Sequence, residues 1–134
     1  MVSPKRLEIY YASLEKKQGS VQHGFRPVLI VQNDIGNFYS EAIIVVPLTT
    51  SQKKELPTHV VIGQEEGLTE RSTVLCEQIT TISLYQLEEK IGEVVVEDTA
   101  KKIEQALALA IGLKKTYFSK NRKENNNESE NEKQ

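Results

Sequence analysis

The stretch VLIVQNDIGNFYSEAIIVVPL, residues 28–48, carries the strongest structural signal in the sequence. Its ends, residues 28–31 and 42–48, are continuous apolar runs rich in β-branched side chains, which is typical of strands buried on both faces. Residues 32–40 between them contain Asn-Asp and Gly-Asn pairs, which favour a turn. Two strands joined in this way, with no helix between them, are predicted to pair in an antiparallel sheet.

Further strand patterns lie on both sides of this pair. Residues 9–14 alternate weakly between apolar and polar side chains, and residues 58–62 and 73–82 are two more predicted strands. A loop rich in Gly and Glu, residues 63–70, separates these last two. Because consecutive strands follow one another without helices, the sequence favours an antiparallel sheet that curls into a small barrel.

Helical signals come only after the strands. A capping-box pattern at residues 83–86, followed by Gly92, predicts a short helix. A longer helix is predicted from about residue 98 to about residue 117 because apolar residues recur on one of its faces; they are Ile103, Leu107, Ala110 and Ile111. The predicted fold is therefore mainly β, with two appended helices.

The 134 residues have the length of one domain. Residues 1–118 are predicted to fold, whereas residues 119–134 have no apolar side chain and are predicted to form a disordered polar tail. The net charge of −2 conceals an asymmetry, because residues 1–54 carry seven basic and four acidic side chains while residues 55–118 carry six and eleven. A local site for an anion is compatible with this distribution.

Several classes of protein are disfavoured by what the sequence lacks. Its apolar runs are far shorter than the ~20 residues of a membrane span, and residues 1–8 do not have the apolar character of a signal peptide. The single cysteine, Cys76, excludes an internal disulfide framework and a cysteine-rich zinc site. No metal or nucleotide-cofactor motif is present. The sequence predicts a cytoplasmic protein without metal or cofactor.

Two polar segments flank the central strands. Arg26 stands before Pro27, a residue suited to the start of a strand, so its guanidinium either binds a phosphate or packs on the barrel rim. Residues 49–54, which follow the next predicted strand, contain three hydroxyls and two lysines. This composition suits a phosphate-binding segment or an ordinary polar loop. Since neighbouring antiparallel strands place one start beside the other end, Arg26 and Thr49 are expected to lie close together.

The remaining candidates are single side chains. His23, in the loop of residues 19–25, is the best proton carrier by its intrinsic pKa. His59 lies in a strand pattern and is interpreted as a strand residue satisfied by its neighbours. Cys76 is predicted to be a buried thiol rather than a nucleophile. Glu77 and Gln78 face either a site or solvent.

These residues closely resemble the MazF (PemK/Kid) family of toxin endoribonucleases. The resemblance is carried by GFRPVLIVQNDIGNFYS at 24–40, VPLTTSQKKELPTHVVI at 46–62 and GLTERSTVLCEQITTI at 67–82. With IYYASL at 9–14 and the C-terminal helix, it spans roughly residues 7–115. The resemblance implies a small SH3-like antiparallel β-barrel of the CcdB/PemK type, with a short helix and a C-terminal helix, assembled as a homodimer.

The family's activity would be metal-independent, sequence-specific cleavage of single-stranded RNA through the ribose 2′-hydroxyl, giving 2′,3′-cyclic phosphate and 5′-hydroxyl ends. The catalytic arginine and threonine of the family fall on Arg26 and Thr49. The residues expected to contact RNA are Gln22, His23, Gly24, Phe25, Thr50, Ser51 and Gln78. A MazE-like antitoxin is the implied partner, with an acidic flexible tail that would cover the groove containing Arg26.

Three positions depart from the family's pattern. Val21 stands where an acidic residue is common, His23 replaces a glycine, and Thr80 replaces a basic residue. His23 is a hypothetical substitute as general base or as a partner for base stacking. Two alternatives to the nuclease therefore stay open: a non-enzymatic, CcdB-like interaction module, and a catalytically weakened homologue that binds RNA. Retention of both Arg26 and Thr49 favours the nuclease.

Overall fold

The structure is a computed structural model that describes residues 3–51 and 54–113. The predicted polar tail, residues 119–134, lies outside the described residues. The domain boundary near residue 118 therefore stays a prediction. The prediction that the last helix runs to about Tyr117 was wrong: the helix ends at Ala110, because the chain turns at Gly112, whose φ of 83° is left-handed.

Seven strands and two helices make up the described part of the chain. The strands are β1 (Glu8–Leu14), β2 (Gly24–Ile30), β3 (Ala42–Thr49), β4 (His59–Ile62), β5 (Ser72–Leu75), β6 (Thr80–Ser83) and β7 (Leu87–Glu93). The helices are α1 (Asp34–Tyr39) and α2 (Glu97–Ala110), and single 3-10 turns span Gln64–Glu66 and Leu84–Gln86.

All of the strand pairings are antiparallel, and the strands follow the order β4-β5-β3-β2-β1-β7. Strand β6 pairs with the first half of β3, whereas β5 pairs with its last two residues. The mainly β antiparallel class with a C-terminal helix is confirmed. Within the described residues β4 and β7 end the sheet without pairing with each other, so the predicted barrel is not closed by hydrogen bonds.

Close packing brings the two ends of the sheet together. The 3-10 turn that follows β4 lies directly against β7 at Gly92, where an added Cβ atom would collide with the carbonyl oxygen of Glu66. Gly67 packs against Gly92 from the turn side of this contact. Its φ is 93°, in the left-handed region that favours glycine. Glycine at both positions allows this backbone-to-backbone contact.

The sheet buries apolar side chains on both of its faces, as the continuous apolar runs of β2 and β3 predict. Leu29 belongs to one core cluster, together with Ile103 and Ala106 of α2. Val28 and Ile30 belong to the other cluster, on the opposite side of the strand. Helix α2 therefore covers one face of the sheet, and its acidic first turn complements the positive end of the helix dipole.

The prediction of a short helix from the capping box at residues 83–86 was wrong beyond one turn. Ser83 does cap a turn, accepting a hydrogen bond from the Tyr85 backbone amide at 3.2 Å. The turn covers only Leu84–Gln86, and the following residues form β7. They extend because β1 offers a free edge with which they pair, and this long-range pairing overrides the local signal.

Two further predictions differ from the structure in detail. The predicted turn at residues 32–40 contains the six-residue helix α1, because the Asn33 side chain caps it by accepting a hydrogen bond from the Gly36 amide at 2.8 Å. The single predicted strand at residues 73–82 is two strands, β5 and β6, separated by a turn at Cys76–Glu77. The chain turns there because its two halves pair with different parts of β3.

Candidate active site

Neighbouring strands carry Arg26 and Thr49. In the β2–β3 register Val28 lies opposite Pro47, and Arg26 and Thr49 each lie two residues beyond that pair. The β2–β3 ladder among the described residues ends at that pair, and Thr49 pairs instead with Thr73 of β5. Arg26 pairs with Ala12 of β1. Strand ladders therefore hold the backbone of each residue, and their expected closeness stays a prediction.

Both side chains are held by short hydrogen bonds. The half-buried Arg26 donates from Nε to the carbonyl oxygen of His23 at 2.8 Å, so its terminal nitrogens are directed by this contact. Thr49 is only 6% exposed, and its Oγ1 accepts a hydrogen bond from the Ser51 amide at 3.2 Å. Since its oxygen acts as the acceptor, the hydroxyl hydrogen of Thr49 is left to donate to a ligand.

The loop between β1 and β2, residues 15–23, is attached to the turn between β5 and β6. The Gln22 amide donates to Oε1 of Gln78 at 2.8 Å, and Nε2 of Gln78 donates to the carbonyl oxygen of Ser20 at 3.2 Å. Gln22 and Gln78, both predicted to contact RNA, are therefore brought together. Sequence reasoning missed that they contact each other, because 56 residues separate them.

A cavity of about 400 Å³ lies between this loop and the β5–β6 turn. Gln22, Gln78 and Thr80 line it, as does Val21. The charged side chains around the cavity are those of Glu15, Lys17 and Glu77. Sequence reasoning did not select Glu15 or Lys17, and their place in the loop after β1 is the one signal that could have found them.

The other predicted contact residues lie on the surface: His23, Gly24, Phe25, Thr50 and Ser51. Gly24 adopts a φ of 82°, in the left-handed region that favours glycine. Phe25 is 62% exposed and stacks on Tyr11, with ring centroids 4.9 Å apart and planes inclined by 16°. As the residue next to Arg26 in a strand, Phe25 faces the opposite side of the sheet. Sequence reasoning missed Tyr11, whose diagonal position becomes evident only from the β1–β2 register.

His59 and Glu77 form a second polar cluster, beside the β5–β6 turn. His59 Nε2 lies 3.1 Å from one carboxylate oxygen of Glu77, and the Thr58 hydroxyl donates to the other oxygen at 2.9 Å. The side chain of His59 is 6% exposed, and its Nδ1 has no hydrogen-bond partner among the described residues. The interpretation of His59 as a satisfied strand residue is therefore right for one ring nitrogen only.

The prediction that Cys76 is a buried thiol is confirmed. Cys76 is fully buried in the core, and burial, together with the charge of the adjacent Glu77, raises the pKa of its thiol to about 12. Since a nucleophilic cysteine needs a lowered pKa, Cys76 is a core residue.

The whole arrangement suits an anion better than a metal ion. An arginine and a threonine hydroxyl at neighbouring strand ends can bind and polarise a phosphate group. Across residues 3–51 and 54–113, no three His, Cys, Asp or Glu side chains come together as ligands of a metal. Within those same ranges, no helix is long and apolar enough to cross a membrane.

The fold defines a small antiparallel β domain with an arginine near the start of one strand and a threonine at the end of its neighbour. Residues 5–111 match the family of PemK-like, MazF-like toxins of type II toxin–antitoxin systems. The chain belongs to this family.

Three relatives illustrate the similarity. Endoribonuclease EndoA of Bacillus subtilis (strain 168) is 41% identical over an alignment of 111 residues that covers 81% of this chain and 95% of that protein. The structure of an endoribonuclease in complex with its cognate antitoxin, from Mycobacterial species, is 32% identical with a TM-score of 0.67, covering 84% of this chain and 98% of that one. MazF from Deinococcus radiodurans, 18% identical, gives a TM-score of 0.70 over 84% and 99% of the two chains, and supports the fold alone.

Proposed function

We propose that the chain is the toxin of a toxin–antitoxin pair and acts as an endoribonuclease that cleaves single-stranded RNA at specific sequences. The observation that carries the proposal is the match of residues 5–111 to the MazF-like toxin family. It is supported by Arg26 near the start of β2 and Thr49 at the end of the neighbouring strand β3. The 41% identity with the endoribonuclease EndoA supports the same activity.

In the proposed reaction the RNA supplies its own nucleophile. The ribose 2′-hydroxyl gives its proton to a general base while its oxygen attacks the adjacent phosphorus. The bond to the 5′-oxygen breaks, and that oxygen takes up a proton. The products are a 2′,3′-cyclic phosphate and a 5′-hydroxyl. Because the reacting groups belong to one molecule, the enzyme has mainly to align them and to stabilise the charge that develops. DNA is no substrate because it lacks the 2′-hydroxyl.

Arg26 and Thr49 divide this work in the proposal. The terminal N–H groups of Arg26 donate to the phosphoryl oxygens as their charge increases, and Nε stays bound to the carbonyl of His23. The Thr49 hydroxyl donates to the scissile phosphate. Val21 cannot supply the carboxylate that the family commonly has in this loop, so the exposed His23 is the hypothetical general base.

Specific binding is assigned to the surface around these two residues. Base contacts would come from the loop of residues 15–23 and from the hydroxyls of Thr50 and Ser51. Phe25 faces the opposite side of the sheet from Arg26, so its predicted contact with RNA would lie away from this surface. The net charge of −2 predicts that the affinity for RNA is modest and that selectivity depends on base contacts.

The proposed partners are a second copy of the chain and a MazE-like antitoxin, in the cytoplasm. The mycobacterial relative in complex with its cognate antitoxin supports the second partner. Light scattering tests the first, because a homodimer has twice the chain mass of 15.2 kDa. A mass of 15.2 kDa at micromolar concentration would contradict it.

Incubation of the purified protein with a long RNA in EDTA tests the proposed activity. We expect fragments with 5′-hydroxyl ends, and mapping those ends gives the recognised sequence. Arg26→Ala is the matched inactive variant and should leave the fold intact. Intact RNA after incubation with micromolar protein would contradict the proposal.

A catalytically weakened homologue is the second candidate, favoured by Val21 in place of the acidic residue. It predicts that the protein retards RNA in a gel shift without cutting it. Cleavage by the wild-type chain would exclude this candidate.

A further inference from the structure

The loop of residues 15–23 has few attachments to the rest of the molecule. Among the described residues, its hydrogen bonds to other segments are the two made by Gln78 and the one between His23 and Arg26. Gly19 and Gly24, both in the left-handed region, stand within the loop and at its end. An added Cβ at either glycine would meet nothing within 4 Å. The loop conformation therefore depends on Gln78.

Arg26 is oriented by this same loop. Gln78 holds the Gln22 amide, and the very next residue, His23, supplies the carbonyl that accepts the Arg26 Nε hydrogen at 2.8 Å. A shift of Gln22 would move that carbonyl, and the guanidinium would lose its acceptor or follow it.

The turn that carries Gln78 is itself anchored. The neighbouring Glu77 receives a hydrogen bond from Thr58 at 2.9 Å and lies 3.1 Å from His59. The backbone N–H of Gln78 also donates to the carbonyl oxygen of Leu75 at 3.0 Å, which closes the turn. The anchored β5–β6 turn therefore holds the weakly attached loop of residues 15–23.

We infer that Gln78 is a positioning residue: its amide clamps the β1–β2 loop and so orients Arg26 for phosphoryl transfer. This inference rests on the proposed nuclease activity and gives Gln78 a role other than the expected contact with RNA. Each heteroatom of its side-chain amide makes one hydrogen bond to loop backbone, which leaves one hydrogen and one lone pair for any contact with a base.

The substitution Gln78→Glu tests the clamp through pH. A carboxylate still accepts from Gln22, but its second oxygen then faces the carbonyl oxygen of Ser20 and repels it. Protonation restores a donor, and carboxyls gain their proton as the pH falls toward ~4–5. The other titratable groups that line this cavity, Glu15, Lys17 and Glu77, are the same in variant and wild type. The ratio of variant to wild-type kcat therefore reports the protonation of the side chain at position 78.

We expect kcat of Gln78→Glu to be about tenfold below wild type at pH 8, the effect of roughly one or two hydrogen bonds. The ratio of variant to wild-type kcat should rise at least about threefold by pH 5 as the carboxyl protonates. KM should change less than kcat, and the mapped RNA sequence should stay the same.

Gln86→Glu is the matched control. Gln86 makes the same pair of bonds, accepting from the Ser83 amide at 2.8 Å and donating to the Ser13 carbonyl at 2.7 Å. Ser13 lies in β1, where the ladder with β2 holds it independently. The ratio of kcat of Gln86→Glu to wild-type kcat should therefore not change with pH.

Deuterium uptake of the peptide covering residues 15–25 gives a readout that does not need activity. The inference predicts faster uptake in Gln78→Glu than in wild type at pH 8. Faster uptake with unchanged kcat would overturn the positioning role and leave the nuclease standing. An altered cleavage sequence would make Gln78 a base reader and overturn the clamp. A wild-type protein that does not cut RNA would overturn the proposed function and this inference with it.

Discussion

Replacement of Arg26 by lysine separates the charge of this residue from its geometry. Lysine keeps the positive charge but has no Nε–H group. It therefore cannot make the bond that joins Arg26 Nε to the carbonyl oxygen of His23 at 2.8 Å. It also presents one ammonium group where arginine presents a planar fork of donors. If Arg26 works through oriented donors, Arg26→Lys should be almost as damaging as Arg26→Ala.

The magnitude follows from what each lost contact does. Removal of a single preorganised donor to a developing negative charge typically lowers kcat by about 10²–10³-fold. The bond to His23 lies at the exposed rim of the sheet, so its loss should lower the free energy of unfolding by only about 1 kcal/mol. We therefore expect kcat to fall by about 100-fold or more, with little change in thermal stability.

The assay is the initial rate on a short RNA that contains the mapped sequence, with the melting temperature measured in parallel. Arg6→Lys is the matched control, because Arg6 also donates from Nε to a backbone carbonyl, that of Val31, at 3.2 Å. Arg6 stands before β1, outside the proposed site, and its lysine variant should cut normally. An Arg26→Lys enzyme within about threefold of wild type would refute the geometric role given to this residue.

Three further predictions concern single residues. Thr49→Val should lower kcat by about tenfold or more because it removes the proposed phosphate donor, whereas Thr49→Ser should retain most of the activity; equal rates for Thr49→Val and wild type would contradict the role. Gly92→Ala should lower the free energy of unfolding by about 1–3 kcal/mol in denaturant titrations, because the new Cβ meets the Glu66 backbone, which cannot rotate away; an unchanged midpoint would show that the two segments are not in contact. Iodoacetamide should modify Cys76 at pH 8 only as the protein unfolds, since burial raises the pKa of its thiol to about 12 and keeps it protonated; alkylation of the native protein at the rate of a free thiol would contradict this burial.

The central strands could be predicted because their signal is local and strong. The continuous apolar runs in β2 and β3 predict strands that are buried on both faces. Both core clusters include residues of these strands. The position of Arg26 and Thr49 on neighbouring strands follows from strand order in the same way. The family motif supplied their expected roles, which the residues alone did not provide.

The parts that could not be predicted depend on distant partners. The capping box at Ser83 is real, but residues 87–93 extend because β1 has a free edge. No local pattern encodes the contact of Gln78 with Ser20, 58 residues away, or that of His59 with Glu77, 18 residues away. Such contacts become visible only once the sheet register is known.

One measurement tests most directly the claim that this site cuts RNA through the substrate's own hydroxyl. Two short RNAs with the mapped sequence are compared in EDTA, one unmodified and one with a single 2′-deoxy nucleotide on the 5′ side of the scissile bond. The proposed mechanism predicts cleavage of the first, with a 2′,3′-cyclic phosphate and a 5′-hydroxyl at the new ends, and none of the second. Cleavage of the deoxy-substituted RNA at that bond would contradict it.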